Sequence, residues 1–328
     1  MARTAHPSSP FQDALVTVFG GGGFIGNYAV QGLLSRGARV RIASRNPQSG
    51  FALKPLANLG QLQFAHCDIT REDSLRAALH GATHVVNLVG AFGGNLTQLM
   101  GEAPGAMAGI AKENNARAFV HLSAIGPDAG SSAEYARAKA LGEQRVTEAF
   151  PEATILRPSI VFGKDDSFIN MFAELIEMLP VLPVFGPEAR LQLVHVDDVA
   201  EAIATALEHP AQHGGHIYEL GGPEQLSMME INQRIAAAQG RKRRFIAMPD
   251  GLSGVFASLP GTPMSKDQWT LLQPGSVVSG TTRTFDDLGI TPRPLGLFLD
   301  KWMVRYRKFG RFGLSNLRSK EREGASRS

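Results

Sequence analysis

Ser123, Tyr135 and Lys139 are side chains that together could move a proton to or from a carbonyl or an alcohol. Tyr135 and Lys139 are four residues apart in "YARAK" and so lie on one face of a predicted helix. A nearby ammonium group favours the phenolate of a tyrosine, which can exchange a proton with a substrate oxygen that a serine hydroxyl orients. These residues predict proton transfer coupled to hydride transfer from a nicotinamide. A simpler role stays open, in which Lys139 binds only the ribose of a cofactor and Tyr135 only fills the mouth of the pocket.

The four consecutive glycines of "FGGGGFIG" predict a phosphate-binding turn between a strand and a helix. Gly20, Gly23 and Gly26 have G-x-x-G-x-x-G spacing, and Phe24 and Ile25 begin the helix. Glycine permits a positive φ, leaves room for a pyrophosphate and exposes the amides of the helix N-terminus. No Gly-Lys-Ser/Thr follows, which excludes an ATPase loop. We therefore predict a dinucleotide site, the alternative being a turn needed only for tight packing.

The residues after the second and third predicted strands bear on which dinucleotide binds. An acidic residue after the second strand would bind the ribose hydroxyls of NAD, whereas a cation there would bind the 2′-phosphate of NADP. This sequence has Ser44 and then Arg45, whose guanidinium suits a phosphate, so NADP(H) is favoured over NAD. Arg45 could instead be an exposed loop cation. Asp68 and Ile69 follow the third strand, where Asp68 either meets the adenine or caps the next helix.

The elements that position these residues alternate short apolar runs with amphipathic segments, as in a parallel sheet with crossover helices. The predicted fold is α/β, a Rossmann-type doubly wound parallel sheet with a smaller C-terminal α/β lobe and a basic amphipathic C-terminal helix. The predicted parts are a flexible N-terminus (1–13), an NADP(H)-binding domain (14–163), an interleaved substrate-type lobe (164–294) and a basic tail with a disordered end (295–328).

Six apolar runs are predicted as strands, namely "ALVTVFG", "ARVRIAS", "LQFAHC", "THVVNLVG", "AFVHLSA" and, as one strand, "ATILRPSIVFG". After Gly163 the alternation of strands and helices becomes less regular. Helices are predicted at 24–37, 71–79, 104–114, 134–150, 166–178, 196–208 and 227–239. Ser227 and Glu230 predict a capping box, and Asp197 is the predicted N-cap of the helix after His195.

Composition limits the class of protein and the kind of site. The chain has 328 residues, 43% of them hydrophobic, and no apolar stretch of membrane-spanning length or secretory signal, so a soluble cytoplasmic protein is expected. Cys67 is the single cysteine, which excludes an intramolecular disulfide and a cysteine zinc site. His209, His213 and His216 lie in a Pro/Gly-containing loop without preset geometry, so no metal site is predicted.

The C-terminal segment is strongly basic, because residues 301–328 contain nine Lys or Arg against two Glu. Its apolar side chains follow helical spacing, at Leu295, Phe298, Leu299, Trp302, Met303, Tyr306 and Phe309. Such a helix could dock on its own domain, or attach the protein to a partner or to an anionic membrane surface. The charge distribution does not indicate a nucleic-acid-binding domain.

The motifs taken together resemble the short-chain dehydrogenase/reductases, in their extended or atypical branch. The resemblance includes the glycine turn, "CDIT", "VVNLVG", "YARAK", "LRPSIVFG", "VHVDDVA" and "YELGGPE", and so covers nearly the whole chain. Within that branch, the segment from Tyr135 to Phe172, "MSKDQWTLLQPGSVV" and "FDDLGITPRPL" are most similar to the nucleotide-binding accessory subunits of respiratory complex I and their bacterial relatives.

The resemblance implies a tightly bound NADPH in a structural subunit beside the quinone-reducing region, with complex I subunits as partners and a peripheral position on the inner membrane face. The implied cofactor-binding positions are Gly20, Gly23, Phe24, Ile25, Gly26, Ser44, Arg45, Asp68, Ile69, Leu88, Val89, Gly90, Lys139 and Pro158, and the implied catalytic ones are Ser123 and Tyr135 with Lys139. Gly22 departs from the family, which often has threonine there. Because relatives include active reductases and epimerases, the alternative is a free NADPH-dependent oxidoreductase or epimerase acting on a quinone-related or other small carbonyl substrate.

Overall fold

A seven-stranded sheet forms the centre of the fold. The computed structural model describes residues 11–249, 266–308 and 310. The strands are β1 (Leu15–Phe19), β2 (Arg39–Ser44), β3 (Leu62–His66), β4 (His84–Asn87), β5 (Ala118–Leu122), β6 (Thr154–Pro158), β7 (Val161–Phe162), β8 (Val181–Val184), β9 (Arg190–Leu191), β10 (Val194–His195), β11 (Ile217–Leu220), β12 (Leu226–Ser227) and β13 (Arg244–Ala247).

The order of the large sheet is β11-β6-β5-β4-β1-β2-β3, and all its neighbouring strands are parallel. The chain runs outwards from β1 in one direction through β2 and β3 and in the other through β4, β5 and β6. The strand order therefore reverses between β1 and β4. In open α/β sheets, ligands bind at the carboxyl ends of the strands beside such a reversal.

The helices are α1 (Phe24–Ser35), α2 (Glu72–Leu79), α3 (Ala103–Glu113), α4 (Glu134–Ala149), α5 (Ser167–Met178), α6 (Val196–Glu208), α7 (Pro210–His213), α8 (Met228–Ala238), α9 (Lys266–Leu272) and α10 (Gly296–Trp302). Short 3-10 helices cover Pro47–Leu56, Asp286–Leu288 and Met303–Tyr306, and a π-helix covers Thr97–Glu102. None of the helices in the described ranges is long and apolar enough to cross a membrane.

Helices cover both faces of the sheet, which confirms the doubly wound architecture. On one face, Val30 and Leu33 of α1 and Ile203 of α6 pack against the buried strand residues. On the other, Leu75 of α2 and Met107 of α3 fill the second core, with α4 alongside. Phe11 belongs to the first core and is 1% exposed, so the fold already includes a residue of the segment predicted to be flexible.

A third core belongs to the smaller C-terminal lobe, as the sequence predicts. It contains apolar side chains of α5 and α8, of β8, β9 and β12, and of the C-terminal segment. Leu295, Leu299, Met303 and Tyr306 are buried there, and Phe298 and Trp302 pack against them. The apolar stripe therefore docks on its own lobe, which was one of the two predicted roles. The other predicted role, attachment to a partner or a membrane, is wrong for these residues. Phe309 lies outside the described residues.

Two local predictions are wrong, each for a physical reason. The predicted strand 153–163 is broken into β6 and β7, because β6 pairs with β5 and β11 in the large sheet whereas β7 leaves that sheet and pairs with β10. The N-cap of α6 is His195, whose Nδ1 accepts from the Asp197 amide at 3.4 Å, and not Asp197 itself. The capping box of Ser227 and Glu230 at the start of α8 is confirmed.

Candidate active site

The carboxyl ends of six neighbouring strands bring the predicted site residues to one edge of the sheet. In sheet order, the residues that follow these ends are Pro158 at β6, Ser123 after β5, Leu88, Val89 and Gly90 after β4, Gly20 after β1, Ser44 and Arg45 at β2, and Asp68 and Ile69 after β3. The strand ends on either side of the reversal thus supply both the glycine turn and the loop after β4. This placement is that of a dinucleotide site in a doubly wound sheet.

The glycine turn has the backbone that phosphate binding requires. Gly20 has a φ of +77°, and a Cβ at Gly26 would lie 2.3 Å from the Gly20 carbonyl oxygen, so α1 can approach β1 only without that atom. Gly23 is the N-cap of α1, has no side chain to satisfy the first amides, and is exposed. The described neighbours leave space over Gly23, since a Cβ there would meet only the Gly20 oxygen, at 3.3 Å. The turn and helix start fit a pyrophosphate.

The departure at Gly22 has a steric explanation. A Cβ at Gly22 would lie 2.2 Å from the Ser49 hydroxyl oxygen and 3.0 Å from the Gly50 amide nitrogen. The 3-10 helix that follows β2 thus packs directly on the glycine turn. Ser49 in turn donates to the Asn46 carbonyl at 2.9 Å, which holds the segment in place. A threonine at position 22 would require this helix to move.

The end of β2 presents polar groups where the adenosine ribose would lie. The Ser44 hydroxyl accepts from the Asn46 amide at 2.9 Å, and the Arg45 side chain is exposed. Asp68 accepts from the amide and hydroxyl of Thr70, bonds that lower the pKa of its carboxyl, with a smaller effect from Arg45. The N-cap of α2 is Arg71, so the helix-capping alternative for Asp68 is wrong and this carboxylate closes a turn before the helix.

Ser123, Tyr135 and Lys139 meet beside the end of β5. The Lys139 ammonium donates to the Leu122 carbonyl oxygen at 3.0 Å, next to Ser123, and lies 5.9 Å from the centre of the Tyr135 ring. Ser123 and Lys139 are 4% and 3% exposed. The Ser123 hydroxyl oxygen is buried and has no hydrogen-bond partner among the described residues. A buried, unpartnered hydroxyl at a strand end fits a site that receives a polar ligand atom.

The protonation states of Lys139 and Tyr135 differ from those expected from the sequence. Burial lowers the pKa of Lys139 to about 8, against the opposing effect of the Glu143 carboxylate. Burial raises the pKa of Tyr135 to about 12, so the expectation that the ammonium favours its phenolate is wrong in this structure. The 5.9 Å separation is too long to offset the loss of solvation of the phenolate. Tyr135 is a neutral phenol at physiological pH and can donate a proton.

An ion pair one helical turn after Lys139 holds helix α4 in place. The Arg157 guanidinium binds both oxygens of the Glu143 carboxylate, at 2.9 and 2.5 Å, and Glu143 is one helical turn after Lys139. Both partners are largely buried. Such a bidentate pair holds α4 against β6 and places a negative charge on the far side of the ammonium.

Two contacts in the site were not predicted from the sequence. Phe92, in the loop after β4, stacks on the Tyr135 ring with 4.9 Å between ring centres and 10° between planes, although 68% of Phe92 is exposed. Asn87 accepts from the Val89 amide at 3.1 Å and donates to His121 Nδ1 at 3.0 Å. This buried pair shapes the turn that carries Leu88–Gly90. Asn87 stood within the quoted "VVNLVG", but its partner comes from another strand.

The predicted histidine-containing loop is in part a short helix, α7, which ends at His213. His213 Nδ1 lies 2.8 Å from the Tyr218 hydroxyl, and the pair packs edge to face. The described residues contain no group of three or more His, Cys, Asp or Glu side chains that could hold a metal ion.

Comparisons with known proteins agree with this geometry. The family model described as "NAD dependent epimerase/dehydratase family" matches residues 16–221. The curated "NADH dehydrogenase [ubiquinone] 1 alpha subcomplex subunit 9, mitochondrial" is 30% identical over 90% of this chain and 79% of its own in Arabidopsis thaliana, and 31% identical over 92% and 82% in Rattus norvegicus. Among solved structures, an Escherichia coli NADPH-dependent quinone oxidoreductase in complex with NADPH shares the fold, with a TM-score of 0.71 at 16% identity over 88% of this chain and 99% of its own.

Proposed function

The chain belongs to the NAD-dependent epimerase/dehydratase family, and on that premise we propose that it is an NADPH-binding accessory or assembly subunit of respiratory complex I, located near the quinone module. In this role the bound nucleotide stabilises the subunit, and the subunit associates with other complex I subunits from the inner face of the membrane.

One observation carries the proposal, namely the length of the match to the complex I subunits. The family model ends at residue 221, but the alignments with the plant and rat subunits extend over about nine-tenths of the chain. They therefore include much of the C-terminal lobe, where family members with different substrates have little reason to agree. A shared Rossmann half alone would support only dinucleotide binding.

The site supports NADPH as the resident cofactor. Gly23 and the start of α1 would hold the pyrophosphate, Arg45 would pair with the 2′-phosphate, and Lys139 would bind the ribose near the nicotinamide. Ser44 is a neutral residue at the position where an acidic side chain would bind the ribose hydroxyls of NAD. The family description refers to NAD and the quinone oxidoreductase structure to NADPH, so the preference proposed here depends on Ser44 and Arg45.

The decisive experiment is purification of complex I from native membranes of a strain with a tagged core subunit. We expect this chain to co-purify in stoichiometric amount and to release NADP(H) on denaturation. Gly23→Asp, which puts a carboxylate where the pyrophosphate would lie, should reduce assembled complex I, because a structural cofactor needs its binding turn. Tyr135→Phe should leave complex I activity nearly intact, because binding alone needs no proton donor. Absence of the chain both from intact complex I and from its assembly intermediates would refute the proposal.

A second function is favoured by one specific observation, the retained Ser123, Tyr135 and Lys139. As an NADPH-dependent reductase of a quinone-related or other small carbonyl compound, the protein would use the Ser123 hydroxyl to orient the substrate oxygen and the Tyr135 phenol to protonate it. The nicotinamide would supply the hydride. A Tyr135→Phe strain as impaired as a deletion strain, with complex I still assembled, would favour this reductase over the structural subunit.

A further inference from the structure

The outer surface of the small lobe has an exposed apolar patch beside a run of cations. It is formed by residues 176–184, which include the end of α5 and all of β8, and by residues 240–248, which include β13. The two strands pair in parallel with Arg244 opposite Val181 and Ile246 opposite Pro183. Paired positions in a parallel sheet point to the same side, so these four side chains share one surface. We call residues 176–184 and 240–248 the β8–β13 face.

The apolar side chains of this face are unusually exposed. Met178 is 74% exposed, Ile246 45%, Val181 40% and Leu179 36%, and they are four of the nine large hydrophobic side chains that are exposed in the described residues. The alternate positions Leu182 and Val184 are 2% exposed and belong to the core of the lobe. The inner side of β8 is therefore buried in the core, and its outer side is also apolar but exposed. A contiguous exposed apolar patch marks an interaction surface.

The charges of the β8–β13 face are almost all positive. Its four cations, Arg241, Lys242, Arg243 and Arg244, are opposed by one carboxylate, Glu177. Arg241 already pairs with Glu177 at 2.8 Å, and Arg243 donates to the Ile176 carbonyl. Lys242 and Arg244 are exposed and have no ion-pair partner among the described residues. The first three cations also line an open cavity of about 560 Å³ between α8 and β13.

We propose that the β8–β13 face binds the surface of an anionic phospholipid bilayer. Lys242 and Arg244 contact lipid phosphates, and Met178, Val181 and Ile246 enter the boundary between headgroups and acyl chains. Aliphatic side chains interleaved with long cations are the composition of surfaces that lie on membranes. An acidic protein partner is the weaker candidate, because the exposed apolar side chains include no Tyr or Trp, the residues that dominate protein interfaces.

This proposal deepens the proposed function, since it names a surface by which a peripheral complex I subunit would contact the membrane. The sequence predicted a membrane contact through residues 295–328, whereas the contact proposed here is formed by the β8–β13 face. The apolar side chains of Leu295, Leu299, Met303 and Tyr306 are buried in the lobe and are not available to lipid. The lipid contact needs neither complex I nor NADPH and can be tested with the purified chain alone.

The test is flotation of the purified full-length protein with vesicles of phosphatidylcholine, alone or mixed with phosphatidylglycerol. We expect binding to the mixed vesicles that weakens with added salt, and little binding to phosphatidylcholine alone. Lys242→Glu combined with Arg244→Glu should lower the partition coefficient at least about tenfold, since each cation near an anionic surface contributes substantially. Met178→Ser combined with Ile246→Ser should lower mainly the binding that persists at high salt.

The matched control is Arg39→Glu combined with Arg117→Glu, which gives the same change in net charge on exposed residues at the amino ends of β2 and β5. NADPH affinity and circular dichroism should be unchanged in all variants. Control and Lys242/Arg244 variants that float equally well, or a parent protein that ignores phosphatidylglycerol, would overturn the proposal. Normal flotation of the Lys242/Arg244 variant with loss of complex I co-purification would assign the face to an acidic protein and also overturn it. If the parent floats as expected but is absent from complex I and from its assembly intermediates, the lipid site stands and the proposed function fails.

Discussion

At the scale of the residue, burial sets the chemical state of the side chains beside β5. Lys139 and Tyr135 lie close together, yet desolvation brings the pKa of the lysine down to about 8 and takes that of the tyrosine up to about 12. Both shifts favour the neutral form, as expected where charge is poorly solvated. The sequence showed that these two residues share a helix face, but it could not show that Lys139 is buried and Tyr135 partly buried.

Arg45 decides the cofactor preference if the proposed NADPH site is correct. Arg45→Asp should weaken NADPH binding about a hundredfold, because it replaces a charge-assisted contact with repulsion, and should change NADH binding little. Titration of both nucleotides by their fluorescence measures this. Lys54→Asp is the control, since its ammonium lies 3.5 Å from the centre of the Phe51 ring in the segment after β2. Equal losses for both nucleotides, or a nucleotide extract containing only NAD, would contradict the assignment.

At the scale of the element, local patterns predicted what local contacts determine. The strands and helices that carry the site form βαβ units, whose periodicity and glycine punctuation are readable in short windows. Contacts between distant segments were out of reach of these patterns. They include the stacking of Phe92 on Tyr135 and the packing of Ser49 on Gly22. They also include His195, which is the N-cap of α6 and whose imidazole ring stacks on Phe298 with 4.0 Å between ring centres.

The junction of β1 and α1 should be intolerant of a single methyl group. Gly26→Ala would place a Cβ 2.3 Å from one backbone oxygen and 2.7 Å from the Gly21 backbone, and backbone cannot rotate away. We expect a loss of about 3 kcal/mol in the free energy of unfolding and loss of NADPH binding. Gly109→Ala is the control, since its Cβ would meet no atom within 4 Å in α3, and it should stabilise the protein by about 0.5–1 kcal/mol. Urea unfolding of both variants measures the difference, and similar stabilities would contradict the steric argument.

The C-terminal segment is part of the small lobe, so the point of truncation should matter. A chain ending at Gly310 should fold and bind NADPH, whereas a chain ending at Pro294 should lose the small-lobe core. Removing side chains such as Leu299 and Met303, which are 4% and 0% exposed, costs about 2–5 kcal/mol each. Expression, thermal unfolding and NADPH binding of the two truncations provide the measurement. A soluble, NADPH-binding chain that ends at Pro294 would show that the segment is dispensable.

At the scale of the whole molecule, three buried histidines connect stability to pH. Burial lowers the pKa of His84 to about 4, with a further effect of Arg117, and that of His121 to about 3, with a further effect of Lys139. Burial likewise lowers the pKa of His195 to about 4. The charge of Arg293 lowers this pKa further, and the carboxylate of Asp198 opposes the shift. Because the unfolded chain takes up these protons from about pH 6.5 downwards and the folded chain does not, the three histidines stabilise the fold fully above pH 6.5 and progressively less towards pH 4.

Each of these histidines should contribute about 1.4 kcal/mol per pH unit to the slope of unfolding free energy between pH 6.5 and 4. His84→Gln should therefore reduce that slope by about this amount, even though it also removes the contacts of His84 with Thr83 and Phe11. Urea unfolding at several pH values in this window gives the slope for parent and variant. An unchanged slope would show that His84 is protonated in the folded protein.

The burial of Leu295, Leu299, Met303 and Tyr306 in the third core also dictates when, during synthesis, the protein can become complete. The central sheet needs β11, and its first core needs Phe285 and Leu288, so even the half that contains the glycine turn waits for residues far along the chain. The small lobe waits longer still, until Tyr306 has left the ribosome. Until then its apolar side chains are exposed to the surrounding solution, as in the partly folded species that chaperones recognise. The nascent chain therefore cannot complete its amino-terminal half as a separate unit before residues 285–306 have been synthesised.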